Sequence, residues 1–217
     1  AAGAIAKMIL DQAGIKVFAF TRELGGVAVN KFDFAQMESN SLGCPDSDAA
    51  REMERKLQTA RESGDTLGGI VEIRVQGCPA GLGEPVFDKI DAALAAAVMS
   101  IGTVKGVEIG AGFTAARMTG SENNDPIGPE GFKSNNAGGI LAGITTGGEI
   151  IIRAACKPIP SIAKEQETVN SKGEPVKITV KGRHDVCVIP RILPVCEAMV
   201  RLVLTDHLLR HKGMPIR

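Results

Sequence analysis

The chain has 217 residues, 44% of them apolar, enough to bury a core in one large domain or two small ones. Its 25 Lys+Arg balance 25 Asp+Glu, which excludes a general nucleic-acid binder or a polybasic membrane binder and still allows a small anionic ligand held by a local cationic cluster. Aromatics are only 3%, with no Trp or Tyr, so an aliphatic core is expected, and five scattered cysteines without a CxxC pair fit a reducing cytoplasm better than a disulfide framework or a zinc site.

Residues 1–13 read as a helix already under way, with Ile5, Met8 and Ile9 on one face and Gly14 to stop it. Lys7 and Asp11 interrupt this stretch, so it does not read as a leader's apolar segment, and an opening in mid-helix without Met suggests a truncated chain. No apolar run approaches the roughly 20 residues that span a bilayer. Ile15 to Phe20 is a short β-like run. Asp46 or Ser47 can cap a helix running to about Ser63 and ended by Gly64, with Ala50, Met53, Leu57 and Ala60 as its apolar stripe.

Val71, Ile73 and Val75 alternate with Glu72, Arg74 and Gln76, the pattern of a strand with one wet face. A turn-rich loop follows from Cys78 to Pro85. Pro85 suits the first turn of a helix, and Val86, Phe87, Ile90, Ala93, Leu94, Ala97, Val98 and Ile101 fall on one wide face of it. Val104 to Ile109 reads as a strand, and residues 110–139, rich in Gly, Asn and Ser, as a long loop. Strand-like runs recur at Ile140–Thr145, Glu149–Ala155 and around Val176, Ile178 and Val180. The last helix starts near Pro190 or Pro194 and ends at Gly213, which leaves His207 and His211 as surface residues. Half-wet strands without regular βα alternation predict an α+β fold with antiparallel sheet. No repeat or linker divides the chain, so residues 1–217 are read as one domain.

Three segments can carry chemistry. In Lys133-Ser-Asn-Asn-Ala-Gly-Gly139 the Gly and Asn residues let backbone N–H groups converge on an anion; an ordinary turn before a strand is the plainer alternative. In Lys157-Pro-Ile-Pro-Ser161 two prolines stiffen the backbone, and a fixed Lys and Ser can hold a phosphate; a rigid strand exit is the plainer alternative. In Gly182-Arg-His-Asp185, Arg183 can grip an oxyanion through parallel hydrogen bonds, Asp185 can accept a proton and His184 titrates near neutrality; the alternative is a surface turn. No spaced carboxylate set suggests a metal site.

These segments, in this order, resemble the chorismate synthase family, and the resemblance extends over essentially the whole chain. It is carried also by Ala2-Gly-Ala-Ile-Ala-Lys7, Gly64-Asp-Thr-Leu-Gly-Gly-Ile-Val-Glu72, Gly81-Leu-Gly-Glu-Pro-Val-Phe-Asp88, Ile140 after the Lys133 segment, Pro190-Arg191 and Pro194-Val-Cys-Glu-Ala-Met199. The resemblance implies a β-α-β sandwich with helices between antiparallel sheets, assembled as a homotetramer. It implies a lyase that converts 5-enolpyruvylshikimate-3-phosphate, a small anionic substrate, to chorismate and phosphate by anti-1,4-elimination. Reduced FMN is the implied cofactor, with NADPH as a possible reductant. Flavin contacts are implied at Gly102, Thr103, Ala142, Lys157, Pro158, Ile159, Pro160, Ser161 and Arg183, and a proton-transfer role at Asp185. Gly102 and Thr103 stand where the family usually has Asn-Ala, Ala142 where it usually has Gly, and Val186 where it usually has Pro. The histidines, phosphate-binding arginines and flavin-contacting Ser of the family's N-terminal part are not in this sequence, so the chain alone is expected to be inactive. A non-catalytic flavin- or anion-binding module, or an oligomerisation module, is the alternative function.

Overall fold

The computed structural model describes residues 1–180, 182 and 184–213. The elements are α1 (Ala2–Gln12), β1 (Lys16–Leu24), β2 (Val27–Ala28), α2 (Ser47–Glu62), β3 (Gly69–Gln76), α3 (Ile90–Met99), β4 (Val104–Ile109), α4 (Gly120–Asn123), β5 (Ile127–Gly128), β6 (Gly131–Phe132), β7 (Ile140–Leu141), β8 (Ile144–Thr145), β9 (Ile150–Cys156), β10 (Gln166–Val169), β11 (Pro175–Ile178) and α5 (Ile189–Gly213). One five-stranded sheet has the order β2-β1-β3-β9-β4, and β5–β6, β7–β8 and β10–β11 form two-stranded ribbons. β1 pairs antiparallel with β2, and all three ribbons are antiparallel. The α+β class with antiparallel sheet is thus the one the half-wet strands predicted. Among the described residues no helix is long and apolar enough to cross a membrane.

The chain forms two compact units. The first comprises Ala1–Ala19, Val71–Ala155 and Ile192–Arg217. Its core is aliphatic: Leu10, Ile15, Ile73, Leu82, Ile90, Leu94, Ile150 and Ile152 are among its fully buried side chains. α1 lies so close to α5 that a Cβ added at Gly3 would overlap Ala198, and the Thr205 hydroxyl donates to the Ala6 carbonyl at 3.4 Å. α1 therefore buries Gly3, Ala6 and Leu10, and the expected face of Ile5 and Met8 is exposed instead. Small residues permit the close helix approach, so the side with less apolar bulk faces inward.

On β3, Val71, Ile73 and Val75 are buried as the alternation predicted. The opposite face is not wet at Glu72, which is also buried. Arg74 reaches it at 2.8 Å and Arg153 at 3.8 Å, so its charge is compensated. α3 begins at Ile90 rather than at Pro85. The Glu84 N–H donates to the Asp88 carbonyl at 3.0 Å, a turn that leaves Val86 and Phe87 exposed off the helix. The long loop predicted over 110–139 contains α4, with a Thr119/Glu122 capping box, and the β5–β6 ribbon. Ile140–Thr145, read as one strand-like run, is a hairpin. Of the two helical histidines expected at the surface, His207 is buried and His211 is exposed.

The second unit comprises Phe20–Ile70 and Cys156–Arg191. Asp46 caps α2: one carboxylate oxygen accepts from the N–H groups of Asp48 and Ala49 at 3.0 and 3.2 Å, the other from Asn30 and Lys31 at 3.1 and 3.0 Å. α2 buries Ala49, Ala50, Met53 and Ala60. Gly64, at φ +70, turns the chain out of the helix in the left-handed region that glycine enters without strain. The core here is aliphatic as expected save for Phe20, which is fully buried and meets Phe34 and the exposed Phe32 at ring-centroid distances of 5.5 and 6.0 Å.

Candidate functional site

The segment Gly64–Gly68 leaves α2 and enters β3, and two candidate site segments are fastened to it. The Thr66 hydroxyl donates to the Ile159 carbonyl at 2.7 Å, and the Ala163 N–H donates to the Gly64 carbonyl at 2.9 Å. Gly68 packs against Pro158, whose Cδ would stand 3.0 Å from an added Cβ. On the other side the Leu67 N–H donates to the Val186 carbonyl at 2.8 Å. Pro158 and Pro160 hold their own φ, so two rings, the Thr66 bond to Ile159 and the Ala163 bond just beyond Ser161 fix the Lys157–Ser161 run.

Between these segments lies a cavity of about 130 Å³ lined by Arg61, Gly64, Asp65, Thr66, Ser161, Ile162, Ala163, Gly182, His184, Asp185 and Val186. Ser161 and Asp185, 24 positions apart in the sequence, thus line one cavity. Its two carboxylates are each paired to a cation: Asp65 to Lys164 at 2.6 Å and Asp185 to Arg191 at 3.0 Å. The Lys164 hydrogen bond, followed by the Thr66 N–H, holds the Asp65 carboxyl below the usual carboxylate range. Lys157, Pro158 and Pro160 are exposed and Ile159 is half-buried. Arg183 lies outside the described residues.

The remaining candidates are in the first unit. Gly102 and Thr103 form the turn between α3 and β4, where the Val104 N–H donates to the Ile101 carbonyl at 2.9 Å. Nothing lies within 4 Å of a Cβ added at Gly102, so a larger residue fits there. Ala142 sits at the tip of the β7–β8 hairpin with φ 53, the one described non-glycine residue in the left-handed region. In the Lys133–Gly139 run, backbone N–H groups do converge on an anion, and the anion is the chain's own Asp125. Its carboxylate accepts from the Ser134 hydroxyl at 2.6 Å and from the N–H groups of Asn136 and Ala137 at 2.7 and 2.8 Å. Burial acts to raise the Asp125 pKa, but these bonds outweigh it and hold the carboxyl below its ordinary 3.8.

Sequence reasoning missed Thr66, Leu67, Lys164 and Arg191. The contacts of Thr66, Leu67 and Lys164 span intervals such as 93 residues for Thr66 and Ile159, and no local pattern carries that signal. Thr66, Leu67 and Arg191 stand inside motifs of the sequence without a partner being assigned to them, and Arg191 proves to be the partner of Asp185.

The fold and the site are those of an α+β protein that gathers the loops around the α2–β3 connection into a small polar cavity. A profile of the chorismate synthase family matches residues 1–209. Chorismate synthase of Syntrophobacter fumaroxidans is 60% identical over 209 residues, covering 96% of this chain and 60% of that protein. The enzyme of Syntrophus aciditrophicus is 60% identical over 219 residues, covering 100% of this chain and 62% of its own length. A crystal structure of chorismate synthase superimposes with a TM-score of 0.80 at 33% identity, covering 98% of this chain and 62% of that one. The chain belongs to the chorismate synthase family. It spans about three-fifths of the length of the curated relatives it matches.

Proposed function

We propose that the chain supplies the flavin-binding part of a lyase that eliminates phosphate from 5-enolpyruvylshikimate-3-phosphate to give chorismate. The observation that supports this best is the fastening of both motif segments to one dipeptide, Thr66 holding Ile159 and Leu67 holding Val186. At about 130 Å³ the cavity suits a phosphate or a ring edge rather than a whole flavin, because complete cofactor sites run to about 300 Å³ and more.

In this reading Lys157 supplies positive charge and the Ser161 hydroxyl a donor to an anionic oxygen, on a backbone that cannot yield because Pro158 and Pro160 fix it. Arg183 adds a second cation, in the role the resemblance gives it. The Asp185 carboxylate, when released from Arg191, holds a proton near the flavin. Gly102, Thr103 and Ala142 carry flavin contacts through their backbone, which the departures from the family's usual residues leave intact. Reduced FMN, when bound, supplies an electron that the substrate borrows and returns, so the reaction is redox-neutral overall. The same resemblance supplies NADPH as reductant, a homotetramer and a cytoplasmic setting. The chain acts as one family domain, and without the rest of the relatives' length it does not turn over.

The test is a titration with reduced FMN followed by turnover of 5-enolpyruvylshikimate-3-phosphate, for the chain alone and joined to the missing part of the Syntrophobacter fumaroxidans enzyme. Binding and turnover in the joined protein, with loss of binding in Lys157→Ala, are expected. Binding without turnover in the joined protein would favour a flavin- or anion-binding module. Tight binding that Lys157→Ala and Ser161→Ala leave unchanged would refute the site.

A further inference from the structure

The β7–β8 hairpin carries Ala142 at its tip, and each of its strands has only 2 residues. A ribbon that short is marginal by itself and takes its shape from what it is bonded to. Here it is bonded to the loop over residues 78–88. Thr145, in β8, meets that loop through its side chain and both of its backbone groups. Its hydroxyl donates to the Pro79 carbonyl at 2.6 Å and accepts from the Leu82 N–H at 2.9 Å. Its N–H donates to the Leu82 carbonyl, and its carbonyl accepts from the Gly81 N–H, both at 2.9 Å. Thr145 and Leu82 are buried, so removing the hydroxyl deprives a buried N–H of its partner. Closer to the tip, the Gly143 carbonyl accepts from the N–H of Ile90, the first residue of α3, at 2.9 Å. A Cβ added at Gly83 would overlap that carbonyl, and one added at Gly143 would overlap the Lys89 side chain. Ala142, next to Gly143, is therefore placed by the loop against which the ribbon is packed.

We propose that Thr145 is a positioning residue of the flavin site: its hydroxyl seats the β7–β8 hairpin on the 78–88 loop and so holds the Ala142 backbone where the flavin meets it. The inference rests on the reading in which Ala142 contacts reduced FMN. It gives the motif at 81–88 a task, that of a frame for the hairpin. One side chain must both donate to a carbonyl and accept from an N–H at this point. A hydroxyl does both and a methyl group does neither, which is why Thr serves here and the equally bulky Val does not.

The experiment titrates reduced FMN into the joined protein and its variants, well below their thermal midpoints. Thr145→Val keeps the volume, loses the hydroxyl and is expected to weaken binding about tenfold. Thr145→Ser keeps the hydroxyl and is expected to stay within about twofold of the parent. Leu10→Ala opens a cavity in the core of the same unit, and is expected to lower the midpoint and leave binding unchanged. No binding by the parent refutes the flavin reading and this inference with it. Parent binding that Thr145→Val leaves unchanged overturns the inference alone. So does a Ser variant as weak as the Val variant, or an equal loss of binding in Leu10→Ala. Should Thr145→Val not fold, Thr145→Ala set against Thr145→Ser makes the same comparison, because these two differ by the hydroxyl alone. Equal binding by that pair overturns the inference.

Discussion

Thr66 donates its hydroxyl to the carbonyl of Ile159 at 2.7 Å, while its neighbour Leu67 donates its N–H to Val186 at 2.8 Å. Adjacent residues just before β3 thus hold two loops that the sequence separates widely. Replacing Thr66 by Val keeps the volume and removes the first of these bonds. Thr66 is buried and Ile159 is half-buried. The expected loss is about 1 kcal/mol in urea unfolding, with weaker binding of reduced FMN by the joined protein. Unchanged stability would show that the bond positions nothing.

Ala142 stands at φ 53, where an L-residue is strained by about 1–2 kcal/mol and glycine is not. Glycine loses more chain entropy on folding, which takes back about 0.4–1 kcal/mol. The side chain is exposed, so its removal leaves no cavity. Ala142→Gly should therefore stabilise by about 0.5 kcal/mol, read as a higher denaturation midpoint. A clear destabilisation would mean that the methyl makes a contact that outweighs the strain.

The Asp46 carboxyl is held below its ordinary 3.8: burial pushes its pKa up, and four backbone N–H groups, from Ala49, Asn30, Lys31 and Asp48, push it further down. A folded pKa below the unfolded one gives stability that is present above the unfolded pKa and is lost as pH falls through the folded value. Stability should then decline on acidification from about pH 5 downward, and Asp46→Asn should flatten that decline. At neutral pH the Asn variant should be less stable by about 2 kcal/mol, because its NH₂ group must face two of the N–H donors. An acid limb of the same slope in both proteins would remove Asp46 from the account.

Gly3 lets α1 approach α5 at Ala198, with no room for a Cβ. Gly3→Ala raises helix propensity by about 1 kcal/mol and would stabilise a free helix. Here the overlap forces the helices apart, and overpacking costs about 1–3 kcal/mol, so the net effect should be destabilising. Thermal denaturation of the variant decides the sign. A higher midpoint would mean that α1 is not docked as described.

Much of the fold was legible. The stripe of α2, the Asp46 cap and the buried side of β3 follow from spacing alone, because a single apolar face leaves one way to sit on a core. α1 was harder, since it carries apolar residues all round. Periodicity finds its bulkier side but cannot say that Gly3 and Ala6 are the ones admitted beside α5. The run Ile140–Thr145 shows the same limit: its side chains suit a strand, and only the left-handed backbone at Ala142 makes it a hairpin.

The sequence by itself determined the family, the identities of the candidate groups and the local periods of the helices and strands, because these depend on residue order and short-range sterics. The tertiary structure decided which partners those groups have: Arg191 on Asp185, Lys164 on Asp65, and the chain's own Asp125 in the N–H nest near Gly139. Lys164 and Asp65 meet across 99 positions, and the nearer pairs, Arg191 with Asp185 and Asp125 with the nest 11 and 12 positions on, depend on irregular loop geometry, which no residue period encodes.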